Sequence, residues 1–256
     1  MTYIRMKKSN LLNIDSLSLQ DFDENSELIP LMTPEDEEVI NKESLPENIA
    51  ILPLRNTVLF PGVVIPITAG RDKSIKLIEE ANQNGKVIGV VAQKDEAVEE
   101  PTSGDVYHTG TVARILKVLK MPDGNTTVII QGKKKFTIDE VIVEKPYITA
   151  KISSLPETKP EKNEEEFNAI IESIKDLSLD IIKQSPNIPS EASFAIKNIE
   201  SSSFLINFVS SNMNLNVEEK QNLLEINDLK ERALETLTFM NIEYQKLELK
   251  NDIQSK

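Results

Sequence analysis

The 256 residues contain no cysteine, no tryptophan and a single histidine. Without cysteine there can be no disulfide and no thiolate metal site. With only His108, no paired-histidine metal site can be assembled. Glycine is scarce at eight residues, and none is placed for a phosphate-cradling G-x-x-x-x-G-K-[ST] loop: Gly104 and Gly110 are six apart and Thr111 follows where a lysine is required. No apolar run approaches the ~20 residues of a membrane-spanning helix. Residues 1–10 lack the apolar stretch of a secretory signal, and acids crowd in from Asp15 where a transit peptide would have none. These absences predict a non-enzymatic, cytoplasmic chain without metal or cofactor. A net charge of −13 repels polyanions, so no nucleic-acid partner is expected, and none in a membrane.

What is present is organised by texture. Residues 1–47 carry Asp21-Phe22-Asp23-Glu24 and Glu35-Asp36-Glu37-Glu38 around Pro30 and Pro34, a composition that reads as an acidic flexible tail. Residues 48–155 change to short apolar, β-branched runs separated by turn residues. Ile49–Leu54, Val63–Thr68, Val87–Ala92, Val112–Met121, Thr126–Gln131, Phe136–Val143 and Tyr147–Leu155 read as strands, and Pro122-Asp123-Gly124-Asn125 as a hairpin turn. One helix opens at Gly70-Arg71-Asp72-Lys73, with Ile75, Ile78 and Ala81 on a common face and Asn84-Gly85 as its stop. Many short strands with a single helix predict a bent sheet or half-open barrel.

Residues 156–163 read as a charged, proline-bearing linker, and 164–256 as an all-α bundle. Phe167, Ile170, Ile171, Ile174, Leu177 and Ile181 form one apolar stripe, and Phe204, Leu205, Phe208 and Val209 another. Asn216 with Glu219, and Asp228 with Glu231, have the spacing of N-caps. A last, long helix carries Leu229, Ala233, Leu237, Met240, Tyr244 and Leu247 in a near-heptad seam, and its pattern reads as continuing past Lys256. The expected class is therefore α+β: a β-rich pseudo-barrel with one helix, then a helical bundle ending in a long helix.

Three features carry candidate chemistry. Val58-Leu59-Phe60, before a Pro61-Gly62 turn, is either core behind the turn or an exposed apolar lip for capturing polypeptide. Arg71, Asp72, Lys73 and Lys76 are either a solvated first helical turn or polar contacts at the rim of such a surface. Lys133-Lys134-Lys135 reads as a solvated loop between strands, with anion binding as the alternative. His108 reads as a surface residue entering a strand, and Glu164-Glu165-Glu166 as a helix start complementing the macrodipole.

The stretch Leu52-Pro53-Leu54-Arg55-Asn56-Thr57-Val58-Leu59-Phe60-Pro61-Gly62-Val63-Val64-Ile65-Pro66-Ile67 resembles the opening of the Lon protease amino-terminal domain. Gly70-Arg71-Asp72-Lys73-Ser74-Ile75, Val91-Ala92-Gln93-Lys94 before an acidic loop, Gly110-Thr111-Val112-Ala113 and Leu119-Lys120-Met121-Pro122-Asp123-Gly124 are similar to that family's following signatures, in order. Asn222-Leu223-Leu224-Glu225 with Asp228 to Ala233 resembles the place where its bundle feeds a long helix. The resemblance covers about residues 47–250 and leaves the acidic tail outside. It implies a PUA-like barrel and a bundle that recognise unfolded, damaged or degron-bearing proteins and support a hexamer. ATP with Mg, the AAA-type ATPase and the Ser–Lys protease are implied for further domains of a full-length protein, and no catalytic residue carries over. The alternative expectation is a free-standing regulator that binds a ligand or partner through the same domain.

Overall fold

The computed structural model describes residues 3–5, 28–185, 188 and 191–254. Strands β1 (Tyr3–Arg5) and β2 (Leu28–Pro30) and helix α1 (Pro34–Lys42) come first. Then follow β3 (Asn48–Leu54), β4 (Val64–Ala69), α2 (Asp72–Gln83), β5 (Val87–Ala92), β6 (Thr109–Lys120), β7 (Thr126–Val143) and β8 (Thr149–Ser154). Helices α3 (Glu165–Gln184), α4 (Glu191–Asn198), α5 (Ser202–Asn212), α6 (Val217–Glu225) and α7 (Leu229–Gln254) complete the chain. They separate into two compact units. A β unit takes Glu38–Glu157 and Leu215–Asn227; a helical unit takes the described residues up to Glu37, Thr158–Asn214 and those from Asp228 onward.

Part of the stretch expected as an acidic flexible tail is folded. Only part of residues 1–47 lies among those described, but that part contains β1 paired with β2, and helix α1. Leu31, Met32 and Ile40 are buried, so the scattered apolar residues of this acidic stretch are spent on packing. Thr33 and Asp36 cap one another at the start of α1, with Asp36 N–H donating to Thr33 Oγ1 at 3.2 Å and Thr33 N–H to Asp36 Oδ2 at 3.1 Å.

In the β unit the strand order is β4-β7-β6-β5-β3-β8, and β8 pairs again with β7, closing a five-membered ring. All neighbours are antiparallel except β3 and β5, which are parallel and joined by the crossover through β4 and α2. Strand β7 makes closure possible. Its first part, Thr126–Gln131, pairs with β4, and its second part, Phe136–Val143, pairs with β8, while β6 runs along its other edge. The lysine triplet lies within this strand, so the loop expected there is absent: 126–143 is one continuous strand that changes partner in its middle.

The barrel core surrounds Phe136, which has no exposed surface. Gly110 gives the ring its space. A Cβ there would come within 2.1 Å of the Val90 carbonyl oxygen and 3.0 Å of Phe136 Cζ. Helix α2 buries Ser74, Leu77 and Ile78, so its core face is rotated from the expected Ile75–Ile78–Ala81 line; Ile75 is only half-buried. Its stop matches the sequence. Gly85 has φ +85°, and Lys86 N–H closes on Ala81 O at 2.9 Å, the long Schellman bond. The hairpin turn closes through Met121 N–H to Asn125 O at 2.8 Å, with Gly124 at φ +88°.

Helix α6 belongs with the barrel, not the bundle. Asn216 and Glu219 form its capping box. Gln221 Nε2 donates to the Thr109 carbonyl at 3.0 Å, and Leu223 and Leu224 are buried. Its carboxyl end is held by Lys135, whose ammonium donates to Leu224 O (2.9 Å), Ile226 O (3.3 Å) and Asn227 Oδ1 (2.7 Å). A cation at the last carbonyls of a helix satisfies unpaired acceptors and complements the dipole. Lys134 does similar work, donating to Asn41 O at 2.7 Å and to Glu43 O beyond the end of α1. Two of the three lysines are thus structural ties in place of solvated charges.

In the helical unit α3 and α7 run parallel. Lys230 bridges Glu164 and Glu166 where both helices start, and Asn251 Nδ2 reaches Gln184 O at 3.4 Å where α3 ends. The expected α3 stripe is buried or half-buried throughout. The α7 seam behaves likewise: Leu229, Ala233 and Met240 are buried, with Leu237, Tyr244 and Leu247 half-buried. Ser201 caps α5, accepting from Phe204 N–H at 3.0 Å, and Asp228 accepts from Glu231 N–H at 2.9 Å. The expected linker is partly structured: Thr158 forms a parallel bridge with Asp228, its carbonyl accepting from Leu229 N–H at 2.9 Å. No helix among the described residues is long and apolar enough to cross a membrane.

Candidate functional site

The residues flagged by sequence divide into two places within the β unit. Val58, Leu59 and Phe60 are buried, Phe60 completely, so the exposed apolar lip is not formed and the core reading holds. The cause lies in β7. Phe60-Pro61-Gly62-Val63 is a tight turn, with Val63 N–H to Phe60 O at 3.2 Å and Gly62 at φ +81°. The turn lies flat on Gly132, exchanging Gly62 N–H to Gly132 O and Gly132 N–H to Val63 O, both 2.9 Å. A Cβ on Gly132 would sit 2.3 Å from the Phe60 carbonyl oxygen, so only glycine permits this approach. Thr111 Oγ1 donates to Leu59 O at 2.6 Å and pins the preceding residue.

Arg71 and Lys73, by contrast, line an open cavity of about 120 Å³. Its floor is apolar: Ile51 and Pro53 from β3, Leu77 from α2, and Ile148 ahead of β8. Its walls are the start of α2, the loop Glu100-Pro101-Thr102, and the segment Glu144 to Tyr147. Two of the polar ties join wall to wall. Lys73 Nζ meets Glu100 Oε2 at 2.6 Å, and Ser103 N–H donates to Glu144 Oε1 at 3.2 Å. A third tie, from the Tyr147 hydroxyl to Glu80, fixes the aromatic ring against α2. Lys76 pairs with the same Glu80 at 3.9 Å, outside the cavity, and Asp72 is exposed in the first turn without lining it.

Buried Gln93 organises the wall behind Arg71. Its Nε2 donates to Asp95 O and Val98 O, each at 2.6 Å, while its Oε1 accepts from Arg71 Nη2 at 3.0 Å. Thr102 and Asp105 cap each other at the far end of the loop, Thr102 N–H donating to Asp105 Oδ2 at 2.8 Å. Electrostatics follow from these contacts. Burial, and next the neighbouring Arg55 charge, lower the Arg71 pKa, with Glu100 opposing. The hydrogen bond from Lys73, then its charge, holds the Glu100 carboxyl below its ordinary value. The bond to Glu80 raises the Tyr147 phenol, with burial adding to it.

Sequence reasoning missed Glu100, Pro101, Thr102 and Tyr147 as lining residues; the first three read as an acidic loop and Tyr147 as the first residue of a strand. His108 is exposed, as expected. A second cavity, about 250 Å³, is lined by residues 43–46 together with Arg114, Lys133 and Lys134, but Lys134 there is already committed to the carbonyls beyond α1. Among the described residues no three His, Asp or Glu side chains gather as a metal site would need.

A barrel closed through one long strand, carrying a docked helix and an apolar-floored groove, defines the class: a Lon amino-terminal fold. The amino-terminal domain of a Mycobacterium avium complex Lon protease matches 76% of this chain and 98% of its own at TM-score 0.61 and 20% identity. A Lon N-terminal domain protein from Xanthomonas campestris matches 75% and 97% at TM-score 0.54 and 16% identity. Residues 48–241 match the family described as the ATP-dependent protease La (LON) substrate-binding domain, and the chain belongs to that family. It is 68% identical to a Lon protease of Flavobacterium johnsoniae over 98% of this chain and 31% of that protein, and 46% identical to one of Cytophaga hutchinsonii over 90% and 28%. The chain therefore spans about a third of the length of these relatives.

Proposed function

We propose that this chain is the substrate-engaging region of a cytoplasmic, hexameric Lon-type protease. In this reading it recruits unfolded, damaged or degron-bearing proteins for quality control and performs no bond-breaking itself. ATP with Mg and peptide hydrolysis belong to other domains of the same protein. The observation that carries the reading is the groove between α2 and the 100–102 loop: an apolar floor at the bottom of a polar rim, in a domain whose family binds substrate. A shallow apolar cavity with few, fixed polar groups suits weak, sequence-tolerant capture of an extended segment. Titrating the isotope-labelled 256-residue chain with a permanently unfolded protein tests it. Chemical-shift changes clustered on β3, α2 and residues 100–102 and 144–148 are expected; a spectrum unmoved at saturating concentrations overturns the reading.

A further inference from the structure

We infer that the groove selects segments in which an apolar side chain is flanked by carboxylates, and rejects the same side chain flanked by lysine or arginine. This rests on the polypeptide-binding reading above and assigns its sequence preference. The cavity holds about 120 Å³. A dry apolar cavity of about 150 Å³ takes a benzene ring, so one aliphatic or aromatic side chain fills this one. Half-buried Pro53, Pro101 and Tyr147, above the buried floor of Ile51, Leu77 and Ile148, give that side chain its apolar contact.

The rim supplies the preference. Three cationic side chains line the cavity, Arg71, Lys73 and Lys145, against two anionic ones, Glu100 and Glu144. Glu100 is paired with Lys73, while Glu144 keeps its charge and accepts only from the neutral Ser103 N–H and hydroxyl. Arg71 donates to a neutral partner, Gln93, and among the described residues no carboxylate stands within ion-pair distance of Arg71 or Lys145. The rim is therefore net positive on a chain whose total charge is −13. An incoming carboxylate gains charge-assisted bonds from a half-buried guanidinium and a lysine. A basic flank meets Arg71 and Lys145, which no carboxylate pairs, against the single charge of Glu144, and the balance is repulsive. The Lys73–Glu100 pair spans the opening, so a ligand carboxylate that takes Lys73 replaces Glu100 one for one.

The test uses the whole chain and three fluorescein-labelled peptides, each with one leucine in a Gly/Ser frame, flanked by aspartate, serine or lysine. Aspartate-flanked peptide is expected to bind about tenfold tighter than lysine-flanked at low salt, with the ratio shrinking as salt rises. Lys145→Glu, at an exposed position that leaves folding intact, and the Arg71→Gln/Lys145→Gln double variant should each collapse that ratio toward one. An unfolded protein run in parallel separates the failures. If it binds but the three peptides are equal, or the ratio survives both variants, the preference is wrong and the substrate-binding reading stands. If neither it nor any peptide binds, both fall.

Discussion

Two stretches of the β unit stand out in the sequence, the apolar Val58-Leu59-Phe60 and the charged Arg71-Asp72-Lys73, and the fold uses them oppositely. Val58-Leu59-Phe60 is sealed under its own turn because Gly132 lets the backbone of Phe60 lie against β7. The α2 start, with Arg71 and Lys73, is left open because the loop facing it is held off by its own bonds, Gln93 to Asp95 and Val98 and Thr102 to Asp105, over an apolar floor. Apolar residues beside a tight turn that lies on a barrel strand join the core. Capture then falls to a shallower surface whose accessible apolar atoms come from half-buried Pro53, Pro101 and Tyr147 above a buried floor. Stability and recognition are thereby placed on separate side chains, and substitutions should show it.

The largest effect should come from the sealed side. Phe60→Ala removes a wholly buried ring and leaves a cavity, at a cost of about 3–5 kcal/mol. Urea unfolding should show the midpoint falling with an unchanged slope, while material that remains folded keeps its peptide affinity. A loss below about 1 kcal/mol would place Phe60 at the surface after all and erase the contrast. Lys135→Met comes next. It removes the donor to the Leu224 and Ile226 carbonyls and the Asn227 amide oxygen, at about 1–3 kcal/mol, and hydrogen exchange across α6 should accelerate. Unchanged protection of α6 would show that Lys135 is not what holds it. Asn216→Ala, which opens the capping box at the other end of α6, should cost about 1 kcal/mol and leave the groove untouched.

These same residues mark how far the sequence could be followed. Strand positions, the Pro61-Gly62 turn, the Gly85 stop and the α3 and α7 seams were legible because each is decided within a few residues, by periodicity or by a glycine at positive φ. The fate of Lys135 was not legible. Three adjacent lysines read as a solvated loop until α6, some ninety residues later, brings its carbonyls to one of them. That α6 joins the barrel at all is a long-range fact; helix α1, by contrast, has a local start in Thr33-Pro34-Glu35-Asp36 that the acidic composition masks. The groove was half legible: Arg71 and Lys73 stood out by charge, but the opposite wall is created by a loop whose course depends on buried Gln93. Composition exposes the charged half of a site and says little about the backbone that faces it.

The smallest effect on stability, and the one that separates the two regions most cleanly, is at Glu100. Lys73 lowers its pKa in the folded chain, so the pair stabilises the fold only while Glu100 is ionised. Because the folded value lies below the unfolded one, the contribution is present above the ordinary glutamate range and disappears as pH falls through the folded value. Wild type should therefore exceed Glu100→Gln slightly in thermal midpoint at neutral pH, with the curves merging in acid. Both partners are about half exposed, so solvent screens the pair and the difference is small. Binding should move the other way. Removing the strap frees Lys73, and Glu100→Gln should bind the aspartate-flanked peptide more tightly at neutral pH, whereas Phe60→Ala should not. If Glu100→Gln weakens that peptide, the strap is part of the binding surface and not its competitor, and the groove works by holding Lys73 in place.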